Sequence, residues 1–200
     1  MKIIYFPLVI VVMVIVSGWA EAQTAPEFMV TWKAANYAPA DYPGKVLPAA
    51  GTRVDIAMEL IDGFRLVDTS RSTISWNVNG QFQKSGVGLK TFSFNVDGAK
   101  GDQLVRASLS YKGRAIDKQI VIPVAAPEVA IVGGPDVFKA LLYFFNLSSA
   151  TQAKFTWTVN SGTTEGVGNN PDVLALAGDL AAATPLAIRV DVQNLLKPLE

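Results

Sequence analysis

In four segments between Arg53 and Tyr111 the apolar residues fall at every second position, and this period constrains the fold more than any other feature of the chain. Val54, Ile56, Met58 and Leu60 alternate with Arg53, Asp55, Ala57 and Glu59. Ile74, Trp76 and Val78 alternate with Thr73, Ser75 and Asn77, and Phe92, Phe94 and Val96 with Thr91, Ser93 and Asn95. Val105, Ala107, Leu109 and Tyr111 alternate with Arg106, Ser108 and Ser110. A period of two gives a strand one buried face and one wet face, as in an antiparallel sandwich. No segment sustains a helical period. The predicted class is therefore all-β, built from antiparallel immunoglobulin-like β-sandwiches.

The strand order then recurs. Ala25-Pro26-Glu27-Phe28 returns as Ala126-Pro127-Glu128-Val129, and Ile74-Ser75-Trp76-Asn77-Val78-Asn79 as Phe155-Thr156-Trp157-Thr158-Val159-Asn160. Gly86-Val87-Gly88 returns as Gly166-Val167-Gly168, and Val105–Leu109 matches Ile188–Val192. Such a repeat implies two tandem domains of one fold, 26–124 and 127–200. Val124-Ala125-Ala126-Pro127 joins them without a Gly or Ser run, which predicts a restricted angle. Trp76 and Trp157 sit among alternating apolar residues and are expected in equivalent core positions. Asn79-Gly80 signals a tight hairpin. Gly86 and Gly88 are expected in a turn or bulge, since no helix follows them to hold an anion.

The two copies differ in length. The opening signature is offset by 101 residues, from Ala25 to Ala126, but the Trp signature by only 81, from Trp76 to Trp157. Domain 1 thus carries roughly 20 extra residues before Trp76, and Ala34–Thr52 is the natural place for them. This stretch holds Tyr37, Pro39, Tyr42, Pro43, Gly44, Lys45 and Pro48, and reads as an irregular loop. Two readings are open. Tyr37, Tyr42 and Lys45 form a binding surface for a glycan or another partner, or the tyrosines and prolines form a lid over the open end of the sandwich.

The copies also differ at their ends. Val105–Tyr111 is followed by Lys112-Gly113 and a closing strand over Ile116–Val124, whereas Leu186–Val192 is followed only by Gln193 to Glu200, with Asn194 read as a turn and Pro198 interrupting any ladder. Two readings are open: the sequence is a fragment or a divergent domain with a short seventh strand, or a partner chain or another copy donates the missing strand to an open edge.

The chain opens with Lys2, an apolar run from Ile3 to Val16 broken only by Pro7, and Ala20-Glu21-Ala22, a small-x-small pattern. This predicts a hydrophobic leader helix over 1–22: a signal peptide cleaved before Gln23, or an anchor helix that would be the chain's only hold on a membrane. Either implies export, to the cell surface or the extracellular space. Lys plus Arg and Asp plus Glu number 17 each, so net charge gives no basis for nucleic-acid binding.

With no Cys and no His, thiol and imidazole catalysis, disulfides and most zinc sites are excluded. The carboxylate pairs Asp97/Asp102 and Asp62/Asp68 lack the spacing of a calcium loop, and Lys100 lies inside the first. They read as solvated turns. No catalytic residue, metal site or cofactor is expected.

Val30-Thr31-Trp32-Lys33-Ala34, with Tyr37, Pro39, Tyr42-Pro43-Gly44-Lys45 and Leu47-Pro48, resembles a segment of uncharacterised exported proteins encoded by candidate bacterial phyla with very small cells. Those chains continue with a Trp-bearing strand and a Tyr-Phe-Phe-Asn segment, here Tyr143-Phe144-Phe145-Asn146. The resemblance implies a cell-envelope protein with tandem immunoglobulin-like or PKD-like domains. The expected function is a non-catalytic structural or adhesive module of the envelope, meeting an envelope protein or a surface glycan. The alternative is a glycan-binding module that uses the aromatic loop 34–52.

Overall fold

A computed structural model describes residues 25–176 and 185–196; the leader at 1–22 and Pro198 lie outside these residues. The described chain is all-β, with strands paired antiparallel and two short 3-10 turns.

In domain 1 the strands are β1 (Glu27–Ala34), β2 (Arg53–Asp62), β3 (Arg65–Leu66), β4 (Thr73–Val78), β5 (Gln81–Val87), β6 (Thr91–Asn95), β7 (Gln103–Tyr111) and β8 (Arg114–Ile122). β2 pairs with β1 on one side and with β6 and the short β3 on the other, while the second sheet runs β5-β4-β7-β8. The alternation in sequence is the alternation in burial. Val54, Ile56, Met58 and Leu60 of one sheet meet Ile74, Trp76, Val105 and Ala107 of the other in a single core. The closing strand begins two residues earlier than its alternation implied, because Lys112 and Gly113 adopt positive φ and turn the chain at once.

Domain 2 repeats this plan. β9 (Glu128–Gly133), β10 (Val137–Tyr143) and β13 (Val173–Ala175) form one sheet, in the order β13-β10-β9. β11 (Ala153–Val159), β12 (Gly162–Thr164) and β14 (Ile188–Asn194) form the other, in the order β12-β11-β14. Trp157 faces Val190 of β14 as Trp76 faces Ala107 of β7. β14 is thus the counterpart of β7, and among the described residues no strand stands where β8 stands in domain 1.

The repeated Trp-x-Val-Asn motif has a local explanation. Both indoles are fully buried and donate from Nε1 to a carbonyl 3.0 Å away, Leu89 in one domain and Pro171 in the other. Asn79 and Asn160 each take a left-handed φ at the hairpin after the Trp strand. Each then accepts, through Oδ1 at 2.9 Å, a backbone N–H at the start of the next long strand, Leu104 or Ala187. A side chain that tolerates positive φ and also accepts a hydrogen bond suits both tasks, which is why Asn appears twice. Asn194, read from sequence as a turn, is instead the buried last residue of β14, with a turn-forming side chain that accepts from the N–H of Leu196.

Candidate functional site

The extra loop of domain 1 crosses to domain 2. After β1 ends, Tyr37 makes a one-residue antiparallel bridge with Phe145: its N–H donates to the Phe145 carbonyl, and its carbonyl accepts from the Phe144 N–H, both at 2.8 Å. Asn36 donates through Nδ2 to the Phe144 carbonyl. Further along, the ring of Tyr42 meets Tyr143 at 5.6 Å and Phe144 at 5.8 Å, edge-on in both cases. Edge contacts place the positive rim of one ring against the negative face of the next, and this geometry is favourable. Gly44 lies beneath Tyr42, where a Cβ would come within 2.6 Å of the phenol oxygen.

The loop returns through a second set of polar contacts. Thr52 is buried; its hydroxyl accepts from Ala49 N–H and donates to Asn146 Oδ1, while Asn146 Nδ2 donates to the Ala50 carbonyl at 2.8 Å. Asn194 Nδ2 reaches the Asn146 carbonyl at 3.3 Å, which ties this knot to the end of β14. The linker is held as well, with Ala125 N–H donating to Pro48 O at 2.9 Å. Both polar ends of the Asn146 amide thus bond to domain 1.

The sequence-named residues are therefore divided. Tyr37 and Tyr42 are half-buried and turned toward domain 2, Tyr37 packing against that domain's core cluster. Lys45 stays within domain 1, exposed, with Nζ 3.6 Å from the centroid of the Trp32 ring on β1. Desolvation against that ring draws its pKa below the ordinary lysine value, and the negative face of the indole opposes this by favouring the cation. Toward the end of the loop Pro48, Ala49 and Thr52 are buried; Pro48 accepts from the linker, Thr52 bonds Asn146, and Gly51 and Thr52 bond Val96 of domain 1.

Phe144 and Phe145 were missed as site residues. Tyr143, Phe144 and Phe145 are three consecutive aromatics, which a two-residue period cannot bury on one face. Phe144 escapes the sheet by taking a φ of 63°, and both phenylalanines are buried. That break in alternation is the signal that marks the segment.

Beside the junction lies a cleft of about 770 Å³ lined by Lys33, Asn36, Tyr37, Arg53, Asp55 and Asn146 among others. Its carboxylate, Asp55, is held below the usual aspartate range first by the Ser93 hydroxyl and then by Arg53, whose Nε lies 3.0 Å away. A carboxylate so held stays ionised at neutral pH and is a poor proton donor.

The other carboxylates considered from sequence are engaged locally. Asp97 accepts from Ala99 N–H and Asp102 from Val124 N–H, while Asp62 accepts from Tyr111 and Lys112 and Asp68 from Ser70 N–H. Among the described residues no helix is long and apolar enough to cross a membrane.

No family model and no curated protein matches the chain. Among solved structures, it is similar to the fibronectin(III)-like modules of Clostridium thermocellum CbhA. The identity is 16%, over 83% of this chain and 86% of that one, with a TM-score of 0.30.

Proposed function

We propose that this chain is an exported, non-catalytic structural or adhesive module of the cell envelope, working as a stiff two-domain strut. The observation that carries this reading is the use made of loop 34–52. The largest addition to domain 1 is spent on domain 2, through a backbone bridge, an aromatic cluster and a buried Thr52–Asn146 knot. A junction of this kind gives resistance to bending, which a surface module that spans distance or bears load requires. Tyr37 and Tyr42 act here as an internal clamp, and Lys45 stiffens the base of the loop against Trp32.

The leader supports export, and the absence of Cys and His supports a role without imidazole or thiol chemistry. The test is surface proteolysis of intact cells that make the protein. Loss of the chain from the cells, with cytoplasmic markers spared, is expected. A chain protected until the cells are lysed refutes an exposed envelope role. Saturable glycan binding that survives with the domains still clamped would replace this reading by the carbohydrate one.

A further inference from the structure

β1 runs from Glu27, opposite Ile61, to Ala34, opposite Val54, where the chain leaves for the interdomain junction. At the other end of domain 1 one hairpin departs from ordinary turn chemistry. β2 and β3 are joined by two residues, Gly63 and Phe64, with φ of 56° and 62°. Such a hairpin needs positive φ at both positions, which Asn, Asp and Gly supply at low cost, as Asn79-Gly80 does. A bulky residue at positive φ is an outlier that strains the backbone. The core offers Phe64 no compensation, because Phe64 is 91% exposed, and Leu66 beyond it is 71% exposed. A groove of about 510 Å³, lined by Ala25, Phe28, Met29, Ile61 and Phe64 among others, continues this apolar surface. The β7–β8 hairpin stands alongside, tied in by Asp62, which accepts from the Tyr111 hydroxyl at 3.1 Å and Lys112 Nζ at 2.8 Å. The two tips carry Arg65, Lys112 and Arg114 against the single acid Asp62, which Lys112 already pairs. Arg65 and Arg114 are exposed and have no ion-pair partner among the described residues. Apolar side chains flanked by arginines suit an anionic lipid surface.

The point where the chain enters domain 1 selects that occupant. Ala25 lines the groove, and the apolar run Ile3–Val16 lies ahead of it in sequence. Ala25 follows Val16 by nine residues, a reach of at most about 30 Å when fully extended. A bilayer that holds the run is therefore within reach of the Phe64 hairpin, while domain 2 projects from the opposite end. We propose that the leader stays as an anchor and that this end of domain 1 rests on the lipid surface, with Phe64 and Leu66 at the boundary of the acyl chains and Arg65 and Arg114 on lipid phosphates. Ile3–Val16 is shorter than the about 20 residues a spanning helix needs, and a short apolar anchor holds firmly only with a second contact. Phe64 supplies it, which accounts for an aromatic ring at a strained turn. This placement rests on the export proposed above and stands the two-domain strut on the membrane.

The chain has no Cys, so one introduced thiol carries a fluorophore to a single place. The full chain, leader included, is reconstituted in vesicles of phosphatidylcholine and phosphatidylglycerol and recovered by flotation. A polarity-sensitive label at Leu66→Cys is expected to shift to the blue and to be quenched by lipids bearing a nitroxide near the headgroup. The same label at Lys100→Cys, on the 3-10 turn beside Ala50 at the junction end, is expected to stay in water. Adding Phe64→Asn to Leu66→Cys should cut the quenching by at least about threefold, and Arg65→Glu with Arg114→Glu should cut it on anionic vesicles. Asn tolerates positive φ, so Phe64→Asn should leave the thermal melt in detergent unchanged or raise it. A chain that does not float, or one that floats with the Leu66→Cys label still in water, overturns the proposal. So does a label that is dry but untouched by the lipid quencher, which would mean protein covers the patch. A melt lowered by more than about 4 °C in Phe64→Asn would make Phe64 a structural residue and overturn it too. A chain that passes this test yet escapes surface proteolysis on cells keeps the lipid contact and loses the exposed envelope role.

Discussion

Replacing Tyr42 by alanine isolates the clamp between the domains, because its ring is the part of loop 34–52 that meets two aromatics of domain 2 at once. Each edge-on aromatic pair contributes about 0.5–1.5 kcal/mol beyond its buried area, so two contribute about 1–3 kcal/mol. A half-buried tyrosine also covers roughly 50–100 Å² of apolar surface, which at about 25 cal/mol per Å² adds about 1–2.5 kcal/mol. Allowing for overlap between the two estimates, the loss of coupling is about 2–4 kcal/mol, against about 5–15 kcal/mol for a whole domain. The backbone bridge at Tyr37 and the Thr52–Asn146 knot remain, so the domains stay folded but unfold more independently.

Differential scanning calorimetry should show the wild-type chain melting in one transition. Tyr42→Ala should split it, with domain 2, whose core is the smaller among the described residues, unfolding first. Hydrogen exchange should quicken along β11 more than along β4. A double-mutant cycle with Tyr143→Ala should recover about 0.5–1.5 kcal/mol of direct coupling. A single transition within about 1 °C of wild type would refute the reasoning, since 1 kcal/mol shifts a domain of this size by about 4–8 °C.

Two further predictions concern single domains. Trp76→Ala and Trp157→Ala each remove a fully buried indole and orphan the carbonyl it bonds, so each should cost about 3–5 kcal/mol. Thermal melts should fall by more than about 10 °C in the affected domain, and a drop of a degree or two would contradict the placement. Asp62 is held below the ordinary aspartate pKa first by Lys112, whose Nζ lies 2.8 Å away, and then by the Tyr111 hydroxyl. Its contribution to stability is therefore present above the unfolded value of about 3.9 and disappears as pH falls through the lower folded value. Carboxyl carbon chemical shifts followed through an acid titration should show this depressed midpoint, and Lys112→Met should raise it; an unmoved midpoint would remove Lys112 as the cause.

Much of this molecule is local physics and is legible residue by residue. The two-residue period names the strands and their buried faces, as in Val54, Ile56, Met58 and Leu60. The demand for positive φ explains Asn79-Gly80, and the recurrence of Trp-x-Val-Asn marks two copies of one fold.

The destination of loop 34–52 is not legible in the same way. Its tyrosines suit a ligand, their own core or another domain equally well, because the gain from burying apolar surface is non-directional and the partner is whatever the fold brings near. Tyr37 and Phe145 lie 108 positions apart, and only tertiary structure sets them face to face. The one foreshadowing was the run Tyr143-Phe144-Phe145, which breaks the alternation and so demanded cover from outside its own sheet. Which residues supply that cover is decided by how the linker aims the second domain, and the linker is anchored by a hydrogen bond from Ala125 to Pro48 in the loop itself.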